Sequence, residues 1–167
     1  MKKGLGSFLT FEFGTPKLEI SKPLIRKSTP YPKIKHQSRE VVIHGAFHLW
    51  ILCSNWKIKL GVQQIAFDED TDEAIQNAAD YLNGQKLLSV HIDLKKTTTV
   101  FKFDLGGELT TYNEAYKAGQ DMWFLYMPEK VLAFNNLGQF CLADGDAPPA
   151  EQKYEHIAVD QITINPV

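Results

Sequence analysis

The sequence predicts an α+β fold, in which a mostly antiparallel sheet is bent or closed into a barrel or sandwich and carries one main helix near residues 71–83. The clearest strand lies in residues 97–105, where apolar and polar residues alternate with a period of two. Gly106 and Gly107 then allow the tight turn of a β-hairpin, and the alternation resumes beyond them. Similar short apolar runs between turn residues predict roughly nine to twelve strands in all.

The first twenty residues predict a β-hairpin. Leu9, Phe11 and Phe13 share one face of an extended strand, with polar residues on the other. Gly14-Thr15-Pro16 has the composition of a turn, and residues 17–20 alternate again beyond it. We therefore expect residues 17–20 to pair back on the first strand.

A basic, proline-rich segment follows at residues 21–38. Its three prolines disfavour a helix interior or a central strand, and its five Lys and Arg residues favour a surface loop. A nucleic-acid tether would favour aromatic side chains between the basic ones, and the segment holds only Tyr31. No nucleic-acid partner is therefore expected.

Residues 40–60 are the most apolar stretch and predict a series of strands. His44 and His48 lie on the side opposite its apolar residues. In one straight strand these two histidines would be about 13 Å apart, which is too far for both to bind one metal ion. A helix would bring them together, but the β-branched and aromatic residues here disfavour a helix. No metal site is therefore expected.

One helix is predicted near residues 71–83. Its apolar residues recur at helical spacing, and Asn83-Gly84 is a typical C-terminal stop. Asp70 is the expected N-cap, because Glu73 three residues later completes a capping box.

The rest of the chain predicts further antiparallel strands and continues the same single domain, which spans residues 1–167. The expected strands are residues 86–93, 122–127 and 157–164, together with a hairpin of residues 131–134 and 139–142. Residues 144–150 read D-G-D-A-P-P-A and are expected to form a linker.

The length and composition are those of an ordinary soluble globular protein. The chain has 167 residues, of which 44% are hydrophobic and 23% charged. Cys53 and Cys141 both lie in apolar runs, which favours buried thiols in a reducing compartment over a disulfide framework. No run approaches the roughly 18 apolar residues of a membrane span, and the N-terminal apolar run lacks the features of a signal peptide. A cytoplasmic location and no membrane contact are therefore expected.

The charges of the chain are divided between its two parts. Residues 1–60 hold 11 Lys+Arg and 3 Asp+Glu, which gives +8, whereas residues 61–167 hold 7 and 17, which gives −10. Such asymmetry indicates either a charged surface for a partner or self-complementarity, with one part packing on the other.

Two motifs carry a resemblance to a known family. They are F-K-F-D-L-G-G from Phe101 and D-M-W-F-L-Y-M-P from Asp121, followed by a hairpin through Gly138. Over residues 86–142 the chain resembles a family of small bacterial proteins to which no function is assigned. The resemblance implies a bacterial, single-domain protein and assigns no role to any residue.

The expected function is that of a non-catalytic protein-binding domain without a cofactor. The sequence lacks a Gly-rich phosphate loop and the Gly-x-Ser-x-Gly, His-Glu-x-x-His and Cys-x-x-Cys motifs. Asp68, Glu69, Asp72 and Glu73 are expected to form an acidic surface for a basic protein partner. Such a surface suits the basic active site of a nuclease, as in an immunity-type protein that neutralises a toxin.

Two other functions remain open. A β-barrel with an internal cavity would bind a small apolar ligand, which the aromatic residues and many short strands permit. An enzyme is the third alternative, with His44, His48, His91, Asp93 and Asp104 as candidate residues. Two of these in one concavity would favour catalysis, whereas their dispersion over the surface would count against it.

Overall fold

The computed structural model describes residues 2–3, 8–25, 37–114, 116–145 and 152–165. Within these residues the chain forms one helix, α1 (Asp72–Leu82), and 17 strands. The strands are β1 (Lys2–Lys3), β2 (Leu9–Phe13), β3 (Lys17–Ile20), β4 (Leu24–Ile25), β5 (Gln37–Ser38), β6 (Val41–His44), β7 (Phe47–Ile51), β8 (Asn55–Leu60), β9 (Gln63–Phe67), β10 (Leu87–Asp93), β11 (Thr98–Phe103), β12 (Gly107–Tyr112), β13 (Asp121–Tyr126), β14 (Lys130–Asn135), β15 (Gln139–Asp144), β16 (Glu155–His156) and β17 (Gln161–Ile164). Their number exceeds the expectation, in part because four of them have only two residues.

Two antiparallel sheets hold most of the strands. One has seven strands in the order β1-β2-β7-β13-β14-β15-β16, and the other has six in the order β17-β10-β11-β12-β8-β9. Both sheets are open, and residues from both form one hydrophobic core. The predicted α+β fold is confirmed, and of its possible forms the chain adopts a sandwich rather than a closed barrel.

The core lies between the inner faces of the two sheets. Phe101 of β11 meets Trp123 of β13 edge to face, with ring centroids 6.3 Å apart. Phe11 of β2 stacks on Phe103 of β11 at 6.5 Å. The Trp123 indole Nε1–H donates to Oγ1 of Thr99 at 3.0 Å. Alternate residues of these strands thus supply both apolar contact and one polar link between the sheets.

The N-cap of helix α1 is Thr71 rather than the predicted Asp70. Thr71 Oγ1 accepts a hydrogen bond from the Ala74 N–H at 3.3 Å, and its backbone is extended as an N-cap requires. The Asp70 carboxylate accepts instead from the Phe67 N–H at 2.9 Å. The predicted capping box between Asp70 and Glu73 is therefore wrong, because Asp70 closes the turn that precedes the helix.

Helix α1 packs one face against β9 and β1. Its buried residues are Ile75, Ala78, Ala79 and Leu82. The helix ends as predicted at Asn83-Gly84, where Gly84 has a φ of 82°. Among the described residues, no helix is long and apolar enough to cross a lipid bilayer.

The hairpin predicted around Gly106-Gly107 is confirmed. Strand β11 pairs with β12, and Phe101 lies opposite Leu109. The positive φ of the turn lies at Gly106, at 87°, and not at Gly107. Gly107 lies instead against α1, where a Cβ would come within 2.4 Å of Leu82 Cδ2. Close packing against the ends of the Leu82 and Gln85 side chains, rather than turn conformation, therefore favours glycine at position 107.

The hairpin predicted for the first twenty residues is wrong. Strands β2, β3 and β4 form one side of a long two-stranded ladder instead. Strand β2 pairs with β7, β3 with β6, and β4 with β5. Residues 14–16 therefore do not reverse the chain, because both strands continue past them with a shift in register. We name the β3–β6 part of this ladder the arm.

Parts of two predicted segments lie outside the described residues. Of the basic loop expected at 21–38, residues 21–25 and 37–38 are described, and residues 24–25 pair with 37–38 as strands β4 and β5, which corrects the loop assignment there. Of the linker expected at 144–150, Asp144 ends β15 and residues 146–150 are not described. The final strand is β17, which pairs with β10 and is shorter than expected.

Candidate functional site

The four carboxylates expected to bind a partner lie around the start of helix α1. Asp68 and Glu69 lie in the turn after β9, and Asp72 and Glu73 lie in the first helical turn. Asp68 is half-buried, whereas the other three are exposed. We name these four residues the acidic surface.

A fifth carboxylate adjoins the acidic surface. The Asn55 side chain donates to Asp68 Oδ2 at 2.8 Å and accepts from the Glu114 N–H at 3.1 Å, so it links the two segments. Burial first, and then the charges of Asp68, Glu114 and Glu69, raise the pKa of Tyr112. Sequence reasoning missed Glu114 and Tyr112 because the pairing of β12 with β8 brings them here from a distant part of the chain.

An ion pair joins the two oppositely charged parts of the chain. Lys59 Nζ lies 3.9 Å from the Glu108 carboxylate and so links residues 1–60 to residues 61–167. Among the described residues, no salt bridge involves Asp68, Glu69 or Glu114.

A second group of polar side chains lies at the root of the arm. Glu12 Oε1 is 2.5 Å from His48 Nδ1 and 3.5 Å from His44 Nδ1, and the other ring nitrogen of His44 is 3.4 Å from Glu19. The Gly45 N–H donates to the second oxygen of Glu12 at 2.9 Å. We name Glu12, His44 and His48 the histidine cluster.

The packing of Gly45 makes the histidine cluster possible. A Cβ at Gly45 would lie 2.3 Å from the Phe13 carbonyl oxygen, so only glycine allows this approach of the two backbones. The chain therefore bends between β6 and β7, and both histidines reach Glu12. Burial alone would raise the pKa of Glu12, but hydrogen bonds from His48 and Gly45 outweigh it and hold that pKa below its usual value.

The histidine cluster borders an open concavity of about 550 Å³. The loop after β13, at Met127 and Pro128, forms its other side. The separation of about 13 Å expected for His44 and His48 assumed one straight strand, and it is wrong because both rings reach the same oxygen of Glu12. This convergence favours the enzyme alternative. In the described part of the chain, no group of three His, Cys, Asp or Glu side chains is arranged to hold a metal ion.

The other residues considered for catalysis are dispersed and have local structural contacts. His91 Nδ1 lies 3.0 Å from Thr163 Oγ1 between β10 and β17. Asp93 accepts from the Lys96 N–H at 2.9 Å, and Asp104 accepts from the Lys86 N–H at 2.8 Å. These contacts close turns and join strand ends, and they bring none of the three residues to the histidine cluster.

An apolar cleft of about 750 Å³ opens between the two sheets at their far edge. Its apolar lining includes Leu132, Phe140 and Leu142 of one sheet and Ile92, Ile162 and Ile164 of the other. At its rim, Lys130 and Asp144 form an ion pair at 2.5 Å. A cleft with this lining suits an apolar group attached to a polar one.

Both cysteines are free thiols, of which Cys141 is buried and Cys53 is half-buried. Burial and the neighbouring charge of Asp121 raise the pKa of Cys53, so its reactive thiolate form is disfavoured. Asp121 in turn accepts a hydrogen bond of 2.5 Å from the Tyr154 hydroxyl. These contacts give both cysteines the surroundings of structural residues rather than of nucleophiles.

Known proteins give no direct guide to these surfaces. No protein-family model, no curated protein and no solved structure matches the chain. Any function of the acidic surface, the histidine cluster or the apolar cleft therefore has to be inferred from the charge, shape and packing of that site.

Proposed function

We propose that the chain is a non-catalytic protein-binding domain, and that its acidic surface binds a basic protein. The observation that carries this proposal is the group of carboxylates at one end of the sandwich, where the Asn55 side chain links Asp68 to the backbone of Glu114 and where Glu69 and Glu114 are exposed. Lys57 Nζ lies on that side as well, 5.5 Å from the centre of the Tyr112 ring. A concentration of negative charge of this kind attracts a positively charged partner and speeds its association.

The finer form of this proposal is an immunity-type protein of bacterial origin that neutralises a toxin. A nuclease binds the phosphates of its substrate with Lys and Arg side chains, and carboxylates can occupy the same positions. The acidic surface would then compete with the nucleic acid for the active site. Tyr112 supplies an aromatic side chain of the kind enriched at protein interfaces.

The test is the purification of tagged chain from its source cell, followed by association measurements with the protein that it retains. Asp68→Lys with Glu69→Lys should slow association by about tenfold or more, because long-range attraction raises on-rates by factors of ten to a thousand. Raising the salt from about 0.1 M to about 1 M should slow wild-type association, because the distance over which charges act falls from about 10 Å to about 3 Å. A wild-type rate that salt does not change would contradict the proposal.

The matched control is Glu129→Lys with Glu155→Lys. It changes the net charge equally at two exposed residues that do not belong to the acidic surface. It should leave association close to the wild-type rate. An equal effect of both double variants would show that net charge, and not this surface, sets the rate.

The apolar cleft favours a second candidate function, the binding of a small apolar ligand. The barrel form of this alternative is wrong because both sheets are open, but the cleft between their edges offers about 750 Å³. Native mass spectrometry of the purified chain should then show an added mass that Leu142→Trp removes. A mass equal to that of the bare chain, before and after incubation with fatty acid, would exclude this function.

A further inference from the structure

The apolar cleft opens where the two sheets separate at one corner of the sandwich. One wall is the inner face of β14 and β15, in which Leu132 lies opposite Leu142. The other wall is the inner face of β10 and β17, in which Ile92 lies opposite Ile162. Ile92 also belongs to the hydrophobic core, so the cleft continues the core toward solvent.

Two aliphatic side chains of the cleft are exposed although they lie on inner faces. Leu142 is 63% exposed and Ile164 is 47% exposed. Each lies two positions from a residue that packs on the core, Phe140 and Ile162 respectively, so each shares the inner face of its strand. The hydrocarbon chain of a ligand can cover this surface and remove it from water.

Charged side chains border one wall of the cleft. Lys130 lies opposite Asp144 where β14 and β15 meet the rim, and the two form an ion pair. Glu155 lies opposite Phe140, and Lys153 precedes it by two positions. Glu155 and Lys153 are exposed, and among the described residues neither takes part in a salt bridge. One positive and one negative charge at the rim are therefore left for a ligand.

These two rim charges select the head group of the ligand. Two residues of extended chain span about 7 Å, so both charges act on the same head group. An anionic head is attracted by Lys153 and repelled by Glu155, and a cationic head experiences the reverse. A zwitterionic head, which carries one charge of each sign, is attracted by both.

The surroundings of each rim charge distinguish the two ends of that head group. Glu155 lies beside the aromatic residue Phe140 in the paired strands, and a carboxylate next to an aromatic ring suits an ammonium group. Lysine is a common ligand of phosphate, which assigns the phosphate to Lys153. A phosphate and an ammonium group together form the head of a zwitterionic phospholipid.

We propose that the apolar cleft binds a zwitterionic lipid with a single hydrocarbon chain. The hydrocarbon chain lies between Leu142 and Ile164, the phosphate next to Lys153 and the ammonium group next to Glu155. A cleft of about 750 Å³ has the size of a site for one such molecule. This inference rests on the second candidate function, because it names the ligand class of the same cleft.

The experiment is isothermal titration calorimetry with three amphiphiles that differ in the charge of the head group. They are dodecylphosphocholine, which is zwitterionic, laurate, which is anionic, and dodecyltrimethylammonium, which is cationic, each below its micelle concentration. The wild-type chain should bind dodecylphosphocholine about fivefold more tightly than the other two, since an exposed ion pair contributes up to about that factor. Leu142→Trp, which fills the cleft, should abolish the binding of all three.

Two single variants should change this preference in opposite directions. Lys153→Glu should make dodecyltrimethylammonium the tightest ligand, and Glu155→Lys should make laurate the tightest, because the rim charges then share one sign. Lys102→Glu and Asp80→Lys are the matched controls, since they change the net charge equally at exposed residues that do not line the cleft. Both controls should keep the wild-type preference. A wild-type melting temperature shows that each variant is folded.

The outcomes separate this inference from the second candidate function. Equal affinities of the wild-type chain for the three amphiphiles overturn the inference and leave the binding of an apolar ligand standing. Binding of none of them overturns both. Binding that survives in Leu142→Trp, or a wild-type preference in both Lys153→Glu and Glu155→Lys, also overturns the inference, because the amphiphile then binds elsewhere on the chain.

Discussion

Thr99 and Thr111 lie opposite each other in adjacent strands, and their hydroxyl groups have different surroundings. Both residues are fully buried, and they are paired across β11 and β12. Thr99 Oγ1 accepts the hydrogen bond from the Trp123 indole, whereas Thr111 Oγ1 has no hydrogen-bond partner among the described residues. The same substitution at the two positions therefore has opposite physical consequences.

We predict that Thr99→Val lowers the free energy of unfolding by about 1–3 kcal/mol, because it leaves a buried indole N–H without an acceptor. Thr111→Val should be neutral or slightly stabilising, since it replaces an unpaired buried hydroxyl by a methyl group of similar shape. Urea denaturation of both variants measures the difference. Equal losses of stability would show that the Trp123–Thr99 hydrogen bond does not tie the sheets together.

We predict that Thr71→Ala lowers the free energy of unfolding by about 1 kcal/mol, because it removes the N-cap of α1. Asn77→Ala, at an exposed position in the middle of the same helix, is the control. It should be neutral or slightly stabilising, since alanine has the higher helix propensity. Thermal unfolding followed by circular dichroism compares the two variants. A loss for Asn77→Ala as large as that for Thr71→Ala would contradict the assignment of the cap.

We predict that Gly107→Ala costs about 1–3 kcal/mol through overpacking against Leu82 and Gln85, whose nearest atoms would lie 2.4 Å and 2.7 Å from the new Cβ. Glu108→Ala, at the neighbouring position, should stay within about 0.5 kcal/mol of wild type.

Combining Gly107→Ala with Leu82→Ala tests the contact between residues 107 and 82 directly. The double variant should be less destabilised than the sum of the two single ones, since a smaller residue 82 leaves room for the methyl group. Strict additivity would rule out the contact.

We predict that Glu12 contributes stability at neutral pH that is lost in acid. Burial alone would raise the pKa of Glu12, but the hydrogen bonds lower it below the ordinary 4.5. The unfolded chain therefore binds this proton at a higher pH than the folded chain, and the contribution disappears as the pH falls through the folded-state value. Glu12→Gln should flatten the acid limb of a plot of unfolding free energy against pH. An unchanged acid limb would show that the histidine cluster does not hold the carboxylate ionised.

Asp121→Asn should change the pH dependence in the opposite direction. Burial raises the pKa of Asp121 above 3.8, and the hydrogen bond from Tyr154 only partly offsets that. The folded chain therefore binds this proton at a higher pH than the unfolded chain, so ionisation of Asp121 lowers stability as the pH rises. An asparagine still accepts from Tyr154 and removes that loss. For each variant, the difference in unfolding free energy from wild type can be plotted against pH. In acid, the slopes of these two plots, for Glu12→Gln and Asp121→Asn, should have opposite signs.

The sequence by itself determined the fold class, the position of the helix and the hairpin at Gly106. These features depend on neighbours in the chain: a period of two in β11, a helical period through Ile75 and Leu82, and a glycine at the turn. Local chemistry also limited the choice of N-cap to adjacent residues. It did not choose between Asp70 and Thr71, because both side chains can accept the same kind of hydrogen bond.

Only the tertiary structure decided which strands are partners. Residues 14–16 have turn composition, yet the chain continues through them, because β2 and β3 pair with distant strands in one long ladder. The bend at Gly45 that brings His44 and His48 to Glu12 depends on contact with the Phe13 backbone, 32 positions earlier. The addition of Glu114 to the acidic surface depends likewise on Asn55. Contacts between residues far apart in the chain leave no periodic pattern, so these features emerge only when the sheets assemble.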